Sequence, residues 1–213
     1  MNVKFLSIAV FFWGIIGTAS IISQHYIRES ATQPEPALNA SRPNILFILA
    51  DDLSWNSMGY MDYDLAFATP TLTALALRGV IMTNYYAQEL CTPSRAALLT
   101  GRYPVSLGMQ YGEILPNHQW ALGADETLLS QVLRDSGYAT SAVGKWNLGH
   151  YAPDFLPTAR GFDSFLGFLG AESYYWSKYI TKEKGGAVSQ VRDFMQANAT
   201  CYAPYNETDA QVY

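Results

Sequence analysis

The chain has 213 residues, 49% hydrophobic and 15% charged, a balance typical of one globular domain or two. Its net charge of -5, with no basic run, argues against a nucleic-acid-binding protein. Two cysteines are too few for a disulfide framework or a zinc cluster, and the 14% of aromatic residues argues against a disordered chain.

The N-terminal segment has the pattern of a targeting sequence. Lys4 precedes an apolar run, and Gly17 begins a group of small residues suited to cleavage. Residues 1–22 therefore predict a secretory signal peptide, with an uncleaved signal anchor as the alternative because the run approaches bilayer-spanning length. Residues 23–42 are polar and contain proline, and they predict a linker to a domain over residues 43–213.

Three Asn-X-Ser/Thr triplets predict N-glycosylation at Asn39, Asn198 and Asn206. Together with the targeting segment they favour the secretory pathway. The expected destination is the lysosome, the extracellular space or a membrane anchor.

Apolar runs and helix-ending residues alternate along the rest of the chain. The predicted strands cover residues 44–50, 80–85 and 138–143. The predicted helices cover residues 70–78, 93–100 and 126–135. The last helix is amphipathic, and its apolar side consists of Leu128, Leu129, Val132 and Leu133. This alternation predicts an α/β fold with a largely parallel sheet flanked by helices.

Chemically reactive residues follow each predicted strand. Asp51 and Asp52 come after the first strand, Cys91 after the second and Lys145 after the third. Ligands of such sheets bind beyond the carboxyl ends of the strands, so we expect a functional site here. The paired carboxylates suit calcium or magnesium, with a strand-end turn and a helix cap as the alternative.

Cys91 precedes Pro93 and so lies at or just before a helix N-terminus, which favours anions. Arg95 adds a cation about one turn later. Two other interpretations are a buried structural cysteine and a thiolate nucleophile. A thiolate enzyme needs a histidine base, and none of His25, His118 and His150 is obviously placed for that role.

The run CTPSRAALLTGR, which begins at Cys91, resembles the sulfatase signature, in which the cysteine is oxidised to formylglycine. The run RPNILFILADDL resembles the first strand and metal pair of the same family. The segments GMQYGEILPN, ETLLSQVLRDSGYATSAVGKWNLG and LPTARGFDSFLGFLG are similar to the arylsulfatase B branch in order and spacing. The resemblance covers roughly residues 41–176.

This resemblance implies the alkaline-phosphatase-like sulfatase fold and hydrolysis of sulfate esters. Asp51 and Asp52 match calcium ligands, and Cys91 matches the formylglycine, which is both nucleophile and metal ligand. Arg95 matches the arginine that steadies the formylglycine hydrate, and Lys145 matches the lysine that binds the sulfate group. The implied partners are a formylglycine-generating enzyme and a sulfated small molecule or sulfated glycan.

The chain departs from the family pattern Gly-Lys-Trp-His-Leu-Gly, because Asn147 occupies the histidine position. An amide cannot act as a base near neutral pH, so we expect slowed turnover. His150, three residues later, could replace the missing histidine only if the loop shifted. Further metal ligands of the family come from far downstream. We therefore expect these residues to be the N-terminal part of a longer protein and inactive alone, with Cys201 either a free thiol or bridged to the missing part.

Two other functions stay open. Asn147 favours a non-catalytic relative that binds sulfated glycans, although the intact signature argues against it. A phosphoester or phosphonate hydrolase on the same scaffold is the second alternative, because related folds handle both groups.

Overall fold

The computed structural model describes residues 42–61, 65–174, 176–184, 187–198 and 202–204. The predicted targeting segment, nearly all of the linker, Asn39, Cys201 and Asn206 lie outside these residues. Within the described part of the chain, no helix combines the length and the apolar character that crossing a bilayer requires. The chain divides into two compact units, Met1–Ala87 and Gln88–Tyr213.

The first unit contains one α-helix among its described residues, α1 (Pro70–Ala76). Proline at the first helical turn has the fixed φ that a helix needs, and this explains the starting point. The helix confirms the predicted segment 70–78 and ends two residues earlier. Before it, the Thr69 hydroxyl accepts a hydrogen bond from the Gly59 N–H at 2.8 Å, which ties the loop to the helix.

The strands predicted at residues 44–50 and 80–85 are wrong, because neither segment belongs to a strand. Side chains 45–48 are exposed by 43–57%, and Val80 is 76% exposed. A strand needs a neighbour that completes its hydrogen-bond ladder, and the described residues of this unit contain no extended strand. Apolar composition indicated burial at these segments but could not supply the pairing partner.

The second unit contains the other two α-helices of the described residues, α2 (Cys91–Thr100) and α3 (Leu129–Asp135). Helix α2 confirms the prediction at 93–100 and ends as predicted at Gly101, whose φ of 68° is left-handed. Helix α3 confirms the prediction at 126–135 but begins three residues later. Its start is delayed because Leu128 keeps an extended backbone and donates its N–H to the Gln131 side chain at 2.8 Å.

The predicted apolar side of α3 is only partly correct. Leu128 is fully buried, but Leu129 and Val132 are 43% and 50% exposed. Ser130 is buried instead, because its hydroxyl donates to the Arg160 carbonyl at 2.5 Å. This hydrogen bond turns the polar position, rather than two of the apolar ones, towards the interior.

Two sheets complete the second unit. The larger sheet, in spatial order, consists of β1 (Ser141–Lys145), β2 (Ser164–Phe168), β5 (Met195–Asn198) and β6 (Tyr202–Pro204). The smaller sheet is the antiparallel pair β3 (Tyr179–Lys184) and β4 (Ala187–Arg192). Only β1 and β2 pair in parallel among the described strands. The strand predicted at 138–143 is confirmed as β1, but the observed strand begins three residues later and ends two residues later, so that it includes Lys145.

Strands β1 and β2 approach closely where Gly144 faces Gly167. A Cβ atom on Gly167 would overlap the Gly144 carbonyl group, so only glycine fits. Parallel pairing here, together with the helices, confirms the α/β class.

One apolar core lies beneath α2 and the ends of β1 and β2. Its buried residues are Ala96, Met109, Ile114, Leu122, Leu128, Trp146, Leu148, Phe165, Leu169 and Ala197. Each fully buried large side chain contributes about 1.5–3 kcal/mol relative to exposure. Trp146 and Leu148 belong to the segment that directly follows β1, so the core holds that segment against α2.

Candidate functional site

Cys91 is the first residue of α2 and is half-buried. The preceding residue, Leu90, has an extended backbone, so the chain turns sharply into the helix at this point. Ser94 fixes that turn, because its hydroxyl accepts from the Gln88 N–H at 3.0 Å and donates to the Gln88 carbonyl at 3.1 Å. Cys91 is therefore held at a helix N-terminus, where backbone N–H groups and the helix dipole favour an anion.

Arg95 connects α2 to the end of β1. Its side chain is 9% exposed, and Nη1 donates to the Lys145 carbonyl oxygen at 2.7 Å. Lys145 is the last residue of β1 and is half-buried. The fold thus places the Arg95 guanidinium against the backbone of Lys145, the residue that carries the second predicted cation.

A closed set of three hydrogen bonds, the Thr92–Ile114–Asn147 ring, locks α2 to the segment after β1. The Thr92 hydroxyl donates to the Asn147 carbonyl at 3.1 Å and accepts from the Ile114 N–H at 3.0 Å. The Asn147 side-chain amide Nδ2 donates to the Ile114 carbonyl at 3.1 Å. All three residues are buried, so every bond in the ring is shielded from water.

Asn147 adopts a left-handed backbone conformation, with a φ of 55°. Asparagine tolerates this region better than most residues because its short amide bonds locally. The residue is fully buried, and Oδ1 has no hydrogen-bond partner among the described residues. The Asn147 side chain, which has no basic nitrogen, is therefore held in place by the hydrogen bond from its amide to the Ile114 carbonyl.

Backbone hydrogen bonds continue past the ends of β1 and β2. Trp146 N–H donates to the Phe168 carbonyl at 2.9 Å, and Asn147 N–H donates to the Leu169 carbonyl at 3.1 Å. The Trp146 indole N–H donates to the carbonyls of Gly149 and Phe155, both at 3.1 Å. These contacts fix residues 145–149 as a rigid extension of the strand.

His150, which is half-buried, follows this segment, and the negative charge of the buried Asp193 influences its pKa. Burial lowers the pKa of His150, while the negative charge of Asp193 and a hydrogen bond with the Pro116 backbone oppose that shift. The Asp193 carboxylate is 7% exposed and accepts from the Leu169 and Gly170 N–H groups at 2.8 and 2.7 Å.

The predicted metal pair lies in the first unit. Asp51 and Asp52 are both exposed, and Asp52 has a left-handed φ of 53°. Such a backbone is uncommon outside glycine and is enriched at functional sites. Both residues directly follow the apolar run 44–50, at the positions that the sequence predicts for the metal pair.

Residues 43–203 match the family model described as Sulfatase. The chain belongs to the sulfatase family. This match confirms the resemblance that the Cys91 signature predicted. The predicted α/β fold of alkaline-phosphatase-like type is confirmed as well, because the PsFucS1 sulfatase from Pseudoalteromonas sp. superposes with a TM-score of 0.52 at 33% identity. That likeness covers 70% of this chain and 30% of the solved one.

Several curated relatives are similar to this sulfatase-family chain. Arylsulfatase J of Mus musculus is 46% identical over 145 residues, which is 68% of this chain and 24% of the relative. Arylsulfatase A of Bos taurus is 47% identical over 131 residues, which is 60% of this chain and 25% of the relative. N-acetylgalactosamine-6-sulfatase of Homo sapiens is 38% identical over 133 residues, which is 59% of this chain and 25% of the relative. The chain thus spans about a quarter of the length of these relatives.

Three contributors were missed at the sequence level. Thr92 and Ser94 stand inside the signature run, so their position next to Cys91 was a usable signal. Asp193 gave no signal, because its contacts with Leu169 and Gly170 exist only in the folded sheet.

Proposed function

We propose that the protein containing this chain is a sulfuric ester hydrolase. The observation that carries the proposal is the position of Arg95. This residue is buried, lies about one helical turn after Cys91 and donates a hydrogen bond to the Lys145 carbonyl. A sulfate ester carries its charge on oxygens that two cations and a helix N-terminus complement. Membership of the sulfatase family supports the same reaction.

Cys91 is proposed to be converted to formylglycine, and Asp51, Asp52 and residue 91 are proposed to hold a calcium ion. The chemistry of the donor set fits both groups. Carboxylate oxygens suit calcium, whereas a thiol does not, and conversion of Cys91 would replace the sulfur by oxygen. When bound, these groups supply an oxygen nucleophile that is regenerated after each turnover and a charge that polarises the sulfate oxygens.

The chain's own residues would bind and orient the substrate. Arg95 is locked by its bond to the Lys145 carbonyl, so its charge is fixed before the substrate arrives. The Lys145 side chain, at the end of β1, would contact the sulfate oxygens. The Thr92–Ile114–Asn147 ring keeps α2 and the end of β1 in register, and this sets the spacing between residue 91 and Lys145.

The proposed substrates are sulfated small molecules or sulfated glycans. The name of the relative N-acetylgalactosamine-6-sulfatase supports a sulfated sugar. The proposed partner during maturation is a formylglycine-generating enzyme, and the proposed location is the secretory pathway. Asn198 is exposed at the end of β5, where a glycan could be attached.

Peptide mass spectrometry of residue 91 tests the proposal. The longest natural chain containing these residues would be expressed in a host that matures other sulfatases. Conversion to formylglycine lowers the residue mass by roughly 18 Da, as expected when CH₂SH becomes CHO. The same preparation would then be assayed with an aryl sulfate and an aryl phosphate, with Cys91→Ala as the control.

Formylglycine together with aryl sulfate hydrolysis that Cys91→Ala abolishes would support the proposal. An unmodified thiol in that host would contradict it, and faster hydrolysis of the phosphate would point to a phosphoester hydrolase.

A non-catalytic sulfated-glycan-binding protein is the second candidate, and Asn147 is the observation that favours it. Its buried amide has no titratable nitrogen at the position where the family motif has histidine. Saturable binding of a sulfated oligosaccharide without turnover, in protein that carries formylglycine, would identify this function.

A further inference from the structure

We propose that two exposed tyrosines, Tyr151 and Tyr174, form a tyrosine platform on which the sugar rings next to the sulfated sugar stack. The inference rests on the proposed sulfate-ester hydrolysis and deepens it. It commits the substrate to a sulfated oligosaccharide, whereas the hydrolysis itself would also suit a sulfated small molecule.

The two tyrosines follow the same edge of the sheet at the same distance along the chain. Lys145 and Phe168 are the last residues of β1 and β2 and face each other in the parallel pairing. Tyr151 follows Lys145 by six residues, and Tyr174 follows Phe168 by six. Ligands of α/β folds bind beyond the carboxyl ends of parallel strands, so the tyrosines belong to the loops that border the proposed sulfate site.

Hydrogen bonds hold the first loop, residues 146–155, in place. Trp146 is buried, and its indole N–H donates to the carbonyls of Gly149 and Phe155, both at 3.1 Å. Tyr151 lies between these two anchors. Its ring packs against the Phe155 ring, with 4.7 Å between centroids and 31° between planes. The residue is nevertheless 50% exposed, so a supported aromatic ring remains open to a ligand.

Backbone hydrogen bonds hold Tyr174 in the second loop. Its N–H donates to the Tyr179 carbonyl at 3.1 Å, and its carbonyl accepts from the Lys178 N–H at 2.8 Å. Tyr179 is the first residue of β3, so these bonds close a turn between the loop and that strand. Tyr174 is 63% exposed. An exposed tyrosine on a fixed backbone offers contact area at a low cost in conformational entropy, which favours recognition.

The two loops are also joined where they begin. The Asn147 N–H donates to the Leu169 carbonyl at 3.1 Å, just past the paired strands. The loops therefore leave the sheet side by side, and a ligand held at Lys145 lies beside the origin of both.

A sugar ring is the occupant that the chemistry of these side chains favours. One face of a pyranose ring presents mainly C–H groups, which pack against the electron-rich face of an aromatic ring. The phenol hydroxyl donates and accepts hydrogen bonds, as sugar hydroxyls require. With a sulfate bound at Lys145, the sugars attached to the sulfated one would extend along the two loops.

The charge of the first loop indicates that the stacked sugar carries no sulfate of its own. Residues 146–155 contain one acidic residue, the exposed Asp154, and no lysine or arginine. A sulfate group on this sugar would meet a like charge without a neighbouring cation from the loop. The favoured substrate is therefore an oligosaccharide that has a sulfated sugar at Lys145 and an uncharged sugar at Tyr151.

Tyr103 serves as the matched control tyrosine. It is 77% exposed and follows the C-terminal end of α2, whereas Cys91 begins that helix. The 10 residues of α2 span about 15 Å, which separates Tyr103 from the proposed site. Tyr103→Ala should therefore leave the hydrolysis of every substrate unchanged.

Kinetics of the matured, longest natural chain test the platform. The substrates are an aryl monosulfate and the fastest-hydrolysed member of a panel of uncharged tetrasaccharides that carry one sulfate. We expect Tyr151→Ala and Tyr174→Ala each to raise KM for the tetrasaccharide about two- to tenfold, with little change in kcat. The aryl sulfate has no neighbouring sugar, so its KM should change by less than about twofold.

Two further substitutions separate stacking from support of the loop. Tyr151→Phe keeps the flat ring and should keep most of the gain that the tetrasaccharide shows. Tyr151→Leu keeps an apolar contact with Phe155 but has no flat face, so it should behave like Tyr151→Ala. Thermal unfolding would verify that each variant is folded.

Three kinetic results would overturn the proposal. Equal losses for both substrates would show that the tyrosines only support their loops. An unchanged KM for the tetrasaccharide in both alanine variants would exclude stacking. Hydrolysis of the aryl sulfate without hydrolysis of any tetrasaccharide would exclude an oligosaccharide substrate. If no sulfate ester is hydrolysed, the proposed function itself fails, and that result is distinct from these three.

Binding to the Cys91→Ala variant gives a readout that does not depend on turnover. Isothermal titration calorimetry would measure the Kd of the singly sulfated tetrasaccharide with and without the additional Tyr151→Ala substitution. We expect that substitution to weaken binding about two- to tenfold. This result would support the platform even in a protein that hydrolyses no sulfate ester, and an equal Kd or no binding at all would overturn it.

Discussion

Residues 44–50 and strand β1 (Ser141–Lys145) form an instructive pair. Both regions are predicted from the sequence to be strands followed by site residues, with Asp51 and Asp52 after residues 44–50 and Lys145 after residues 138–143. Strand β1 pairs with β2 along its whole length, whereas residues 44–50 belong to no strand and expose Leu46 by 57%. The difference shows that a favourable strand sequence becomes a strand only where a partner strand completes its ladder.

Hydrogen exchange should show the largest contrast between the two regions. The Trp146 N–H is bonded to the Phe168 carbonyl at 2.9 Å as an extension of the paired strands. We expect it to exchange at least about 10³-fold more slowly than the Leu46 N–H, because exchange of a ladder amide requires opening of the sheet. Mass-spectrometric or NMR-detected exchange would measure the ratio, and comparable rates would remove the distinction.

The pairing of β1 with β2 can be broken at one residue. Gly167→Ala should lower the free energy of unfolding by about 3 kcal/mol, because the new Cβ overlaps the Gly144 carbonyl across the ladder. Gly101→Ala is the control: its φ of 68° disfavours alanine, but nothing lies within 4 Å, so we expect about 1 kcal/mol. Urea denaturation followed by tryptophan fluorescence would compare the two, and equal losses would contradict the close-approach argument.

The Thr92–Ile114–Asn147 ring shows that the order of β1 extends beyond the strand itself. Thr92→Val keeps the shape of the side chain but leaves the buried Ile114 N–H and Asn147 carbonyl without the hydroxyl, at a cost of about 2 kcal/mol. Thr92→Ser retains the hydroxyl and should cost less than about 1 kcal/mol. Denaturant midpoints would test this, and a valine variant as stable as the serine variant would show that the ring contributes little.

The segment after β1 should also give the paired region an acid sensitivity that residues 44–50 lack. Burial lowers the pKa of His150 in the folded protein, so the unfolded chain takes up this proton first as the pH falls. The contribution of this group is therefore complete above about pH 6.5 and is lost as the pH falls from there towards the lowered folded pKa. Unfolding measured between about pH 7.5 and 5 should become less pH-dependent in His150→Gln, and an identical slope would contradict the assignment.

The smallest effect on stability is expected in the unpaired region. Leu46→Lys replaces a side chain that is 57% exposed, so the unfolding of the second unit should change by less than about 0.5 kcal/mol. The same change should reduce aggregation, because it interrupts an exposed apolar run. Light scattering would measure the gain, with Val143→Lys on β1, where Val143 is 82% exposed, as the matched variant in the paired region.

Local sequence signals predicted the elements whose ends are set by single residues. Pro70 fixes the start of α1 and Gly101 the end of α2, because proline and glycine impose φ values that few other residues share. The placement of Cys91 at a helix start followed from Pro93 for the same reason.

Contacts between distant segments escaped prediction. The later start of α3 depends on the Gln131 side chain, and the inward turn of Ser130 depends on the Arg160 carbonyl. The association of Asp193 with Leu169 likewise requires the sheet to form first. Such tertiary contacts cannot be predicted from hydrophobic periodicity and residue type alone.

The left-handed backbone at Asn147 has an evolutionary consequence. A φ of 55° excludes most side chains but accepts asparagine, aspartate and histidine comparatively well. Codons for asparagine and histidine differ only in their first base, so a point mutation can exchange the two without disturbing the fold around them. A single base change can therefore exchange asparagine and histidine at position 147 in a backbone conformation that accommodates both.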